Sequence, residues 1–286
     1  MKVRVTCVQM EPKLGEFEYN VSKMEKYIEE NMTKYPETKL MVFPELITSG
    51  YEGTPELFQE MAEKISDGES VKRISALAKK YNVNIIYGLP ERSEDETQIY
   101  NAAVMINSEG KALGTYKKVH PFVSEKKWAT PGWSCPVFDT DIGRIGIMIC
   151  WDTAFPEVAR CDAIQGADLL VVSTNWEDPY EEPWDINDGI NKHEYDWDLI
   201  TRARAFDNTL HLVAANRIGD DGGTLSFFGR SKIIDPRGNV IAALDKREEG
   251  LLSAEIDLEL TKHHRETYYS FFEDRIPAAY AEITQE

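Results

Sequence analysis

Three positions hold residue types that together can carry out acyl transfer to water: Glu45, Lys118 and Cys150. Cys150 closes the apolar run Arg144-Ile-Gly-Ile-Met-Ile-Cys and is followed by Trp151-Asp152-Thr153-Ala154-Phe155-Pro156-Glu157, where the proline can open a helix. A thiol at such a strand-to-turn-to-helix junction sits rigidly above a sheet, with backbone N–H groups close enough to bind an oxyanion. Taken alone, a cysteine after an apolar strand is more often buried packing. Glu45 ends the run Leu40-Met-Val-Phe-Pro-Glu, and Pro44 removes a ladder donor just before it. A carboxylate there is partly desolvated, which raises its pKa toward the range of a general base, although an isolated loop glutamate is usually just solvated. Lys118 lies in Gly114-Thr-Tyr-Lys-Lys-Val-His-Pro, with Glu125 seven residues on. A basic run usually marks a wet edge, yet a lysine can also serve as a fixed charge for an oxyanion, oriented and kept protonated by a nearby carboxylate.

These residues need rigid elements to bring them together. Short β-branched runs at 3–9, 40–43, 83–87, 102–106, 145–149, 169–173 and 211–215 read as strands. Stretches 20–31, 70–81 and 156–165 carry apolar residues at three- and four-residue spacing and read as helices with one face on a core. The alternation predicts an α/β fold. Turn chemistry at Ser108-Glu-Gly and Asp235-Pro-Arg-Gly-Asn predicts two hairpins, so the sheets are mixed rather than purely parallel. No Pro/Gly/Ser-rich linker and no fixed-period repeat divides the chain, so residues 1–286 read as one domain.

Composition narrows the partners. The 286 residues are 42% hydrophobic, enough to bury a full core. With 32 basic and 50 acidic residues, the net charge of −18 repels phosphate backbones and anionic bilayers, which argues against nucleic acid and membranes. The opening segment, interrupted by Arg4, Thr6 and Gln9, lacks the apolar run of a signal peptide, and no stretch reaches the roughly 20 apolar residues of a membrane span. Cysteines at 7, 135, 150 and 161 form no CxxC pair, so free thiols in the cytoplasm are expected. No zinc spacing and no Gly-rich phosphate loop is present, and neither a metal nor a cofactor is expected. Residues 176–198 hold nine carboxylates, one lysine and three of the six tryptophans, and read as a long irregular loop forming an aromatic lid near a site. Its charge would favour neutral or cationic substrates and exclude anions, through residues such as Glu181, Glu182 and Asp185.

Phe-Pro-Glu, then Tyr-Lys-Lys-x-His, then Cys-x-Asp-x-x-Phe-Pro-Glu, in that order and each at a strand end, resembles the nitrilase superfamily of carbon–nitrogen hydrolases. The resemblance runs from the opening strand with Gln9 to Ala203-Arg-Ala-Phe-Asp-Asn and Ala214-Ala-Asn-Arg. It implies a four-layer α-β-β-α sandwich, usually paired into a dimer, and a Glu-Lys-Cys set with a second glutamate. Matched by motif, these are Glu45, Lys118, Cys150 and Glu125; the lysine two residues before the histidine is Lys118, and Lys117 falls where the family commonly has arginine. Adjacent strand residues point to opposite faces, so only one of the two lysines enters the site. The implied reaction is hydrolysis of a small amide through a Cys150 thioester. Lys118 and the Trp151 N–H bind the oxyanion, and Trp151, Asn175 and Trp176 border the substrate. Nitriles, N-carbamoyl amines and acyl transfer to an amine are the alternatives within this resemblance.

Two features separate this chain from many members. Ala154 stands where arginine often holds a substrate carboxylate, so charge for such a group would have to come from Arg202, Arg204 or Arg217. Cys-Trp resembles the nitrile-hydrolysing branch, whereas Asp152 and the Phe-Pro-Glu block look more like the amidase branches, which are favoured. Rival readings are a papain-like Cys–His hydrolase using His120 or His211, and a binding protein without catalysis. The aromatic C-terminal segment 265–286 is expected to pack on a partner subunit or on the chain's own body, consistent with a homodimer.

Overall fold

The computed structural model describes residues 1–179, 192–244 and 247–285. Its first sheet has the order β15-β1-β2-β3-β4-β5, formed by β1 (Lys2–Gln9), β2 (Thr38–Val42), β3 (Asn84–Arg92), β4 (Ile99–Ile106), β5 (Ala112–Lys117) and β15 (Gly250–Asp257). The second has the order β14-β13-β10-β8-β7-β6, formed by β6 (Val137–Thr140), β7 (Gly143–Ile149), β8 (Leu169–Thr174), β10 (His211–Asn216), β13 (Lys232–Ile234) and β14 (Val240–Ala243). Both are mixed: β1, β2 and β3 run parallel, as do β7, β8 and β10, while hairpins add antiparallel strands at the edges. A third, small sheet has the order β11-β12-β9, from β9 (Glu177–Pro179), β11 (Ile218–Asp220) and β12 (Leu225–Phe228).

Alternation along the strands explains the layers. In the first sheet Val3, Val5, Cys7, Leu40, Val42, Ile86, Ala103 and Met105 face the second sheet. Their neighbours Val8, Met41, Phe43, Ile85, Tyr87, Val104 and Ile106 face outward onto Met24 and Ile28 of α1 (Phe17–Lys34) and Val71, Ile74 and Ala78 of α3 (Glu69–Tyr81). A short α2 (Pro55–Met61) lies beside β3. On the far side, α4 (Pro156–Ile164) lays Val158, Ala159 and Ala163 on the second sheet, and α5 (Lys192–Asn208) adds Trp197 and Ala205. The result is the expected helix–sheet–sheet–helix sandwich. Strands read as near-continuous apolar runs because both of their faces are covered.

The stretch expected to be irregular over 176–198 is partly ordered: 177–179 form β9 and 192–198 open α5, with Trp197 fully buried. Composition obscured this because the apolar side chains of α5 are too sparse among charges to show a stripe. Residues 180–191, with Glu181, Glu182 and Asp185, lie outside the described residues. After α6 (Glu259–Thr267), the C-terminal segment turns back on its own chain, where Phe271 meets Phe206 of α5 and Phe272 lies under Arg160 and Arg265. Tyr268, Ile276 and Ile283 stay exposed. Among the described residues, no helix is long and apolar enough to cross a membrane.

Candidate active site

Parallel strands deliver their C-terminal ends to the same edge, and the chemistry-bearing residues follow from that. Glu45 lies three residues past β2, Cys150 directly follows β7, and Lys118 directly follows β5. All are interior: Glu45 is 0% exposed, Lys118 and Glu125 are 1%, and Cys150 is 2%. Lys118 Nζ donates to Glu45 Oε1 at 2.7 Å and to Glu125 Oε1 at 2.6 Å, so one ammonium is shared by two carboxylates. Lys117 takes the other face, pairing with Glu91 at 3.4 Å and lying over the Tyr100 ring. The choice between the two lysines thus follows strand alternation.

Three further residues complete the cluster: Asn175, expected at the substrate, and Asn101 and Tyr51, which the sequence did not single out. Asn101 Nδ2 donates to Glu45 Oε1 at 2.6 Å and to Glu125 Oε2 at 3.2 Å. Tyr51 OH donates to Glu125 Oε1 at 2.8 Å. The Asn175 N–H donates to Glu45 Oε2 at 2.8 Å, while its buried side-chain amide has no partner among the described residues. Of the two residues not singled out, Asn101 carries the clearer signal, since an amide just before an apolar run demands a polar partner. Burial is the main force raising the Glu45 carboxyl above its ordinary pKa, with Lys118 opposing it and Glu125 adding to it. Burial works against the charge on Lys118, but the two carboxylates outweigh it and hold the ammonium well above the usual lysine value. Burial and then Glu45 push the Cys150 thiol well up, so the resting sulfur keeps its proton and needs a base as it attacks.

Backbone geometry fixes the two turns. Cys150 has φ +44°, the left-handed region that a non-glycine residue enters only when its surroundings force it. The next residues, Cys150–Ala154, wind into a 3-10 turn locked by Asp152, whose carboxylate accepts the Ile149 N–H, the His120 N–H and the Tyr116 hydroxyl. The turn after Glu45 packs against Gly88 of β3, where a Cβ would stand 2.4 Å from the Leu46 nitrogen and 2.5 Å from the Glu45 Cα. Only glycine lets β3 approach the Glu45 turn so closely.

Neither histidine proposed as a base for a Cys–His pair fits. His120 Nδ1 lies 2.8 Å from Asp152 Oδ1 and its ring stacks on Phe155 at 3.7 Å, a positioning arrangement for the turn. His211 pairs with Leu169, which pairs with Ile145, whereas Ile149 beside Cys150 aligns with Ser173. Four residues of strand, about 13 Å, therefore separate His211 from the Cys150 end of the sheet.

Above Cys150 opens a cavity of about 180 Å³, lined among the described residues by Phe122, Cys150, Trp151, Trp176, Glu177, His193 and Asp196. Trp151 lies 5.1 Å from Phe122 and 6.0 Å from Trp176, ring centre to ring centre, forming an aromatic wall. The Asn216 side chain clamps the Trp176 backbone through both its N–H and its carbonyl. A buried thiol, a carboxylate of raised pKa and a fixed ammonium beside a small cavity can form and resolve a covalent acyl intermediate.

The family model for carbon–nitrogen hydrolases matches residues 4–266. The chain belongs to this family. It is 50% identical over 284 residues to a probable nitrilase of Schizosaccharomyces pombe, covering 99% of both chains. It is 32% identical over 275 residues to an N-carbamoylputrescine amidase of Arabidopsis thaliana, covering 91% of this chain and 88% of the other. Among solved structures, a carbon–nitrogen hydrolase from Helicobacter pylori G27 superposes with a TM-score of 0.90 at 29% identity, covering 100% and 99% of the two chains. The chain is accordingly a hydrolase of carbon–nitrogen bonds, of the nitrilase superfamily, with amidase-type relatives.

In this carbon–nitrogen hydrolase none of the three arginines considered for a substrate carboxylate lines the cavity. Arg202 Nε donates to the Gly238 carbonyl at 2.8 Å. Arg204 binds the carbonyls of Thr153 and Ala154 and pairs with Asp207. Arg217 is locked bidentate on Asp221 at 2.9 Å. Each is consumed by fold contacts that the sequence does not reveal, because its partner lies on a different element or beyond a turn.

Proposed function

We propose that this protein hydrolyses a small amide through a thioester on Cys150, releasing ammonia and a carboxylic acid. The observation that carries this reading is the single Lys118 ammonium held between Glu45 and Glu125. Glu45 accepts the thiol proton as Sγ bonds to the carbonyl carbon, and the oxygen that becomes negative is met by Lys118 and the Trp151 N–H. Glu45 passes that proton to the departing nitrogen, the C–N bond breaks, and ammonia leaves a thioester. Water then attacks the thioester, giving a proton to Glu45, and this proton returns to the Cys150 sulfur as the acid departs. Glu125, bound by Tyr51 and Asn101, keeps Lys118 charged and oriented. Nitrile hydrolysis is a second reading, favoured by the Cys150-Trp151 pair and by the name of the yeast relative. The protein acts in the cytoplasm, in keeping with four free cysteines, and as a homodimer, in keeping with exposed Tyr268, Ile276 and Ile283 near its C-terminus.

Ammonia release from a panel of small amides, nitriles and N-carbamoyl amines, measured for the native protein and Cys150→Ala, tests the reading. Release from an amide that falls at least about 10⁴-fold in the variant is expected for a lost nucleophile. Release that persists in Cys150→Ala would sink it.

A further inference from the structure

The cavity above the nucleophile has one feature that hydrolysis itself does not use. Glu177 lies on β9, three residues past the last strand residue of β8, and is held there by pairing with Phe227 of β12. It lines the same cavity as Cys150, together with Phe122, Trp151 and Trp176. Among the described residues its carboxylate forms no ion pair. Trp176 is only 6% exposed, lines the cavity, and has a buried Nε1–H with no partner among the described residues, a donor that a bound molecule could satisfy.

The charges around that space all point one way. Beneath it, one ammonium serves two carboxylates, Glu45 and Glu125. Glu177, Asp196 and His193 line it, and no arginine or lysine does among the described residues. Alanine stands at 154, where the family resemblance implies an arginine for a substrate carboxylate, and Arg202, Arg204 and Arg217 are engaged elsewhere. A carboxylate and aromatic rings lining one small cavity are a setting for an organic cation, which gains from both the charge and the ring quadrupoles.

We propose that Glu177 is the specificity-determining residue of this site and selects amides whose other end carries an alkylammonium group. The inference rests on the amide-hydrolysis reading for the reacting end and adds the chemistry of the distal end. The ammonium sits against the Phe122–Trp151–Trp176 wall with Glu177 as its counter-ion, while the amide carbon lies at Cys150. Amides ending in a carboxylate are rejected, because among the described residues two acidic groups line the cavity and no arginine or lysine does.

The site has a built-in pH dependence. Burial is the main cause that raises the Glu177 carboxyl to about 7; Glu45 and Glu125 add to it, and its own backbone N–H and Lys118 oppose it. Cys150 and Tyr51 also lie within its electrostatic reach, and His193 and Asp196 share its cavity. A cation needs the ionised carboxylate, so its affinity rises with pH through about 7, while an alkylammonium of pKa near 10 stays charged throughout.

Two measurements on the full-length protein test this. The first compares kcat/KM for ω-amino amides of two to five methylenes with amides bearing methyl, or carboxylate, in place of the ammonium. The ammonium series is expected to lead and the carboxylate series to trail. The ammonium-to-methyl ratio is expected to fall at least about tenfold in Glu177→Gln, chiefly through KM, with partial recovery in Glu177→Asp. In the native protein the ratio should rise across about pH 7, and in Glu177→Gln it should stay flat. The second measures protection of Cys150 from iodoacetamide by n-butylammonium and by 1-butanol, which requires no turnover. Protection by the ammonium that exceeds the alcohol's and disappears in Glu177→Gln supports the inference. Equal protection by both probes, or a ratio unchanged in Glu177→Gln, overturns it. Failure of every amide to release ammonia, with selective ammonium protection intact, would instead overturn the hydrolysis reading alone.

Discussion

Two buried ion clusters lie on either side of Tyr51 and are built to opposite ends. Tyr51 donates its hydroxyl to Glu125 and its N–H to Asp221, so one residue touches both. The Arg217–Asp221 cluster is balanced: one guanidinium and one carboxylate, both fully buried, joined by two 2.9 Å bonds, with the N–H groups of Tyr51 and Glu52 on the same carboxylate. Against the upward push of burial, Arg217 and those N–H groups hold Asp221 below its ordinary pKa. The Glu45–Lys118–Glu125 cluster is unbalanced, two carboxylates on one ammonium, and Glu45 is raised. Charge balance therefore separates a pair that holds the fold together from a trio that keeps a carboxylate ready to take a proton.

The sharpest way to break this contrast is Glu45→Gln. Amide turnover should fall by about 10³-fold, the range of a lost general base, measured as steady-state ammonia release. Next in size, Arg217→Met should cost about 3–5 kcal/mol by leaving Asp221 buried and unpaired, read as a urea midpoint shift or a Tm lowered by about 10 °C. If Arg217→Met were harmless to stability, the balanced cluster would not be the structural one. Gly88→Ala, whose Cβ meets the Glu45 turn at 2.4–2.5 Å, should cost about 1–3 kcal/mol and reduce kcat at least about tenfold by shifting the base.

Smaller effects sharpen the same point. Because Glu45→Gln converts the trio into a balanced Lys118–Glu125 pair, it should stabilise the protein by about 1 kcal/mol at pH 8, a gain at the expense of activity. The two clusters also titrate with opposite signs. Asp221 has a folded pKa below its unfolded value, so its contribution is complete above about pH 4 and is lost as pH falls through the folded pKa. Glu45 has a folded pKa above its unfolded value, so the folded state takes up the proton first and stability from this group rises as pH falls toward about 4. Urea midpoints from pH 8 to 4 should show the advantage of Glu45→Gln over native shrinking as pH falls. A gap that widens instead would remove the raised carboxyl from the account.

Much was legible before any coordinates. Apolar runs ending in Glu45 and Cys150 identified two strand ends, and strand alternation said that only one of Lys117 and Lys118 enters the site, because period-2 geometry is a local property of the backbone; the family motif, with its lysine two residues before the histidine, chose Lys118. Turn residues at 108–110 and 235–239 located two hairpins for the same reason. Helix α5 escaped notice because its buried Trp197 is surrounded by charges in the sequence, and β15 because it pairs with β1 from the far end of the chain.

What residue type and local periodicity determined is the alternation of strands and helices and the candidate groups at strand ends; the four-layer sandwich and the choice of Glu45, Lys118, Cys150 and Glu125 came from the order of motifs that resembles the family. Tertiary structure alone decided which polar groups meet. It brought Asn101 and Tyr51 to the carboxylates, committed Arg204 and Arg217 to backbone and Asp221, and turned Glu177 from one acid among nine into a wall of the cavity. Hydrogen bonds and ion pairs act over a few ångströms between residues scores of positions apart, and only the packed strand ends set those distances.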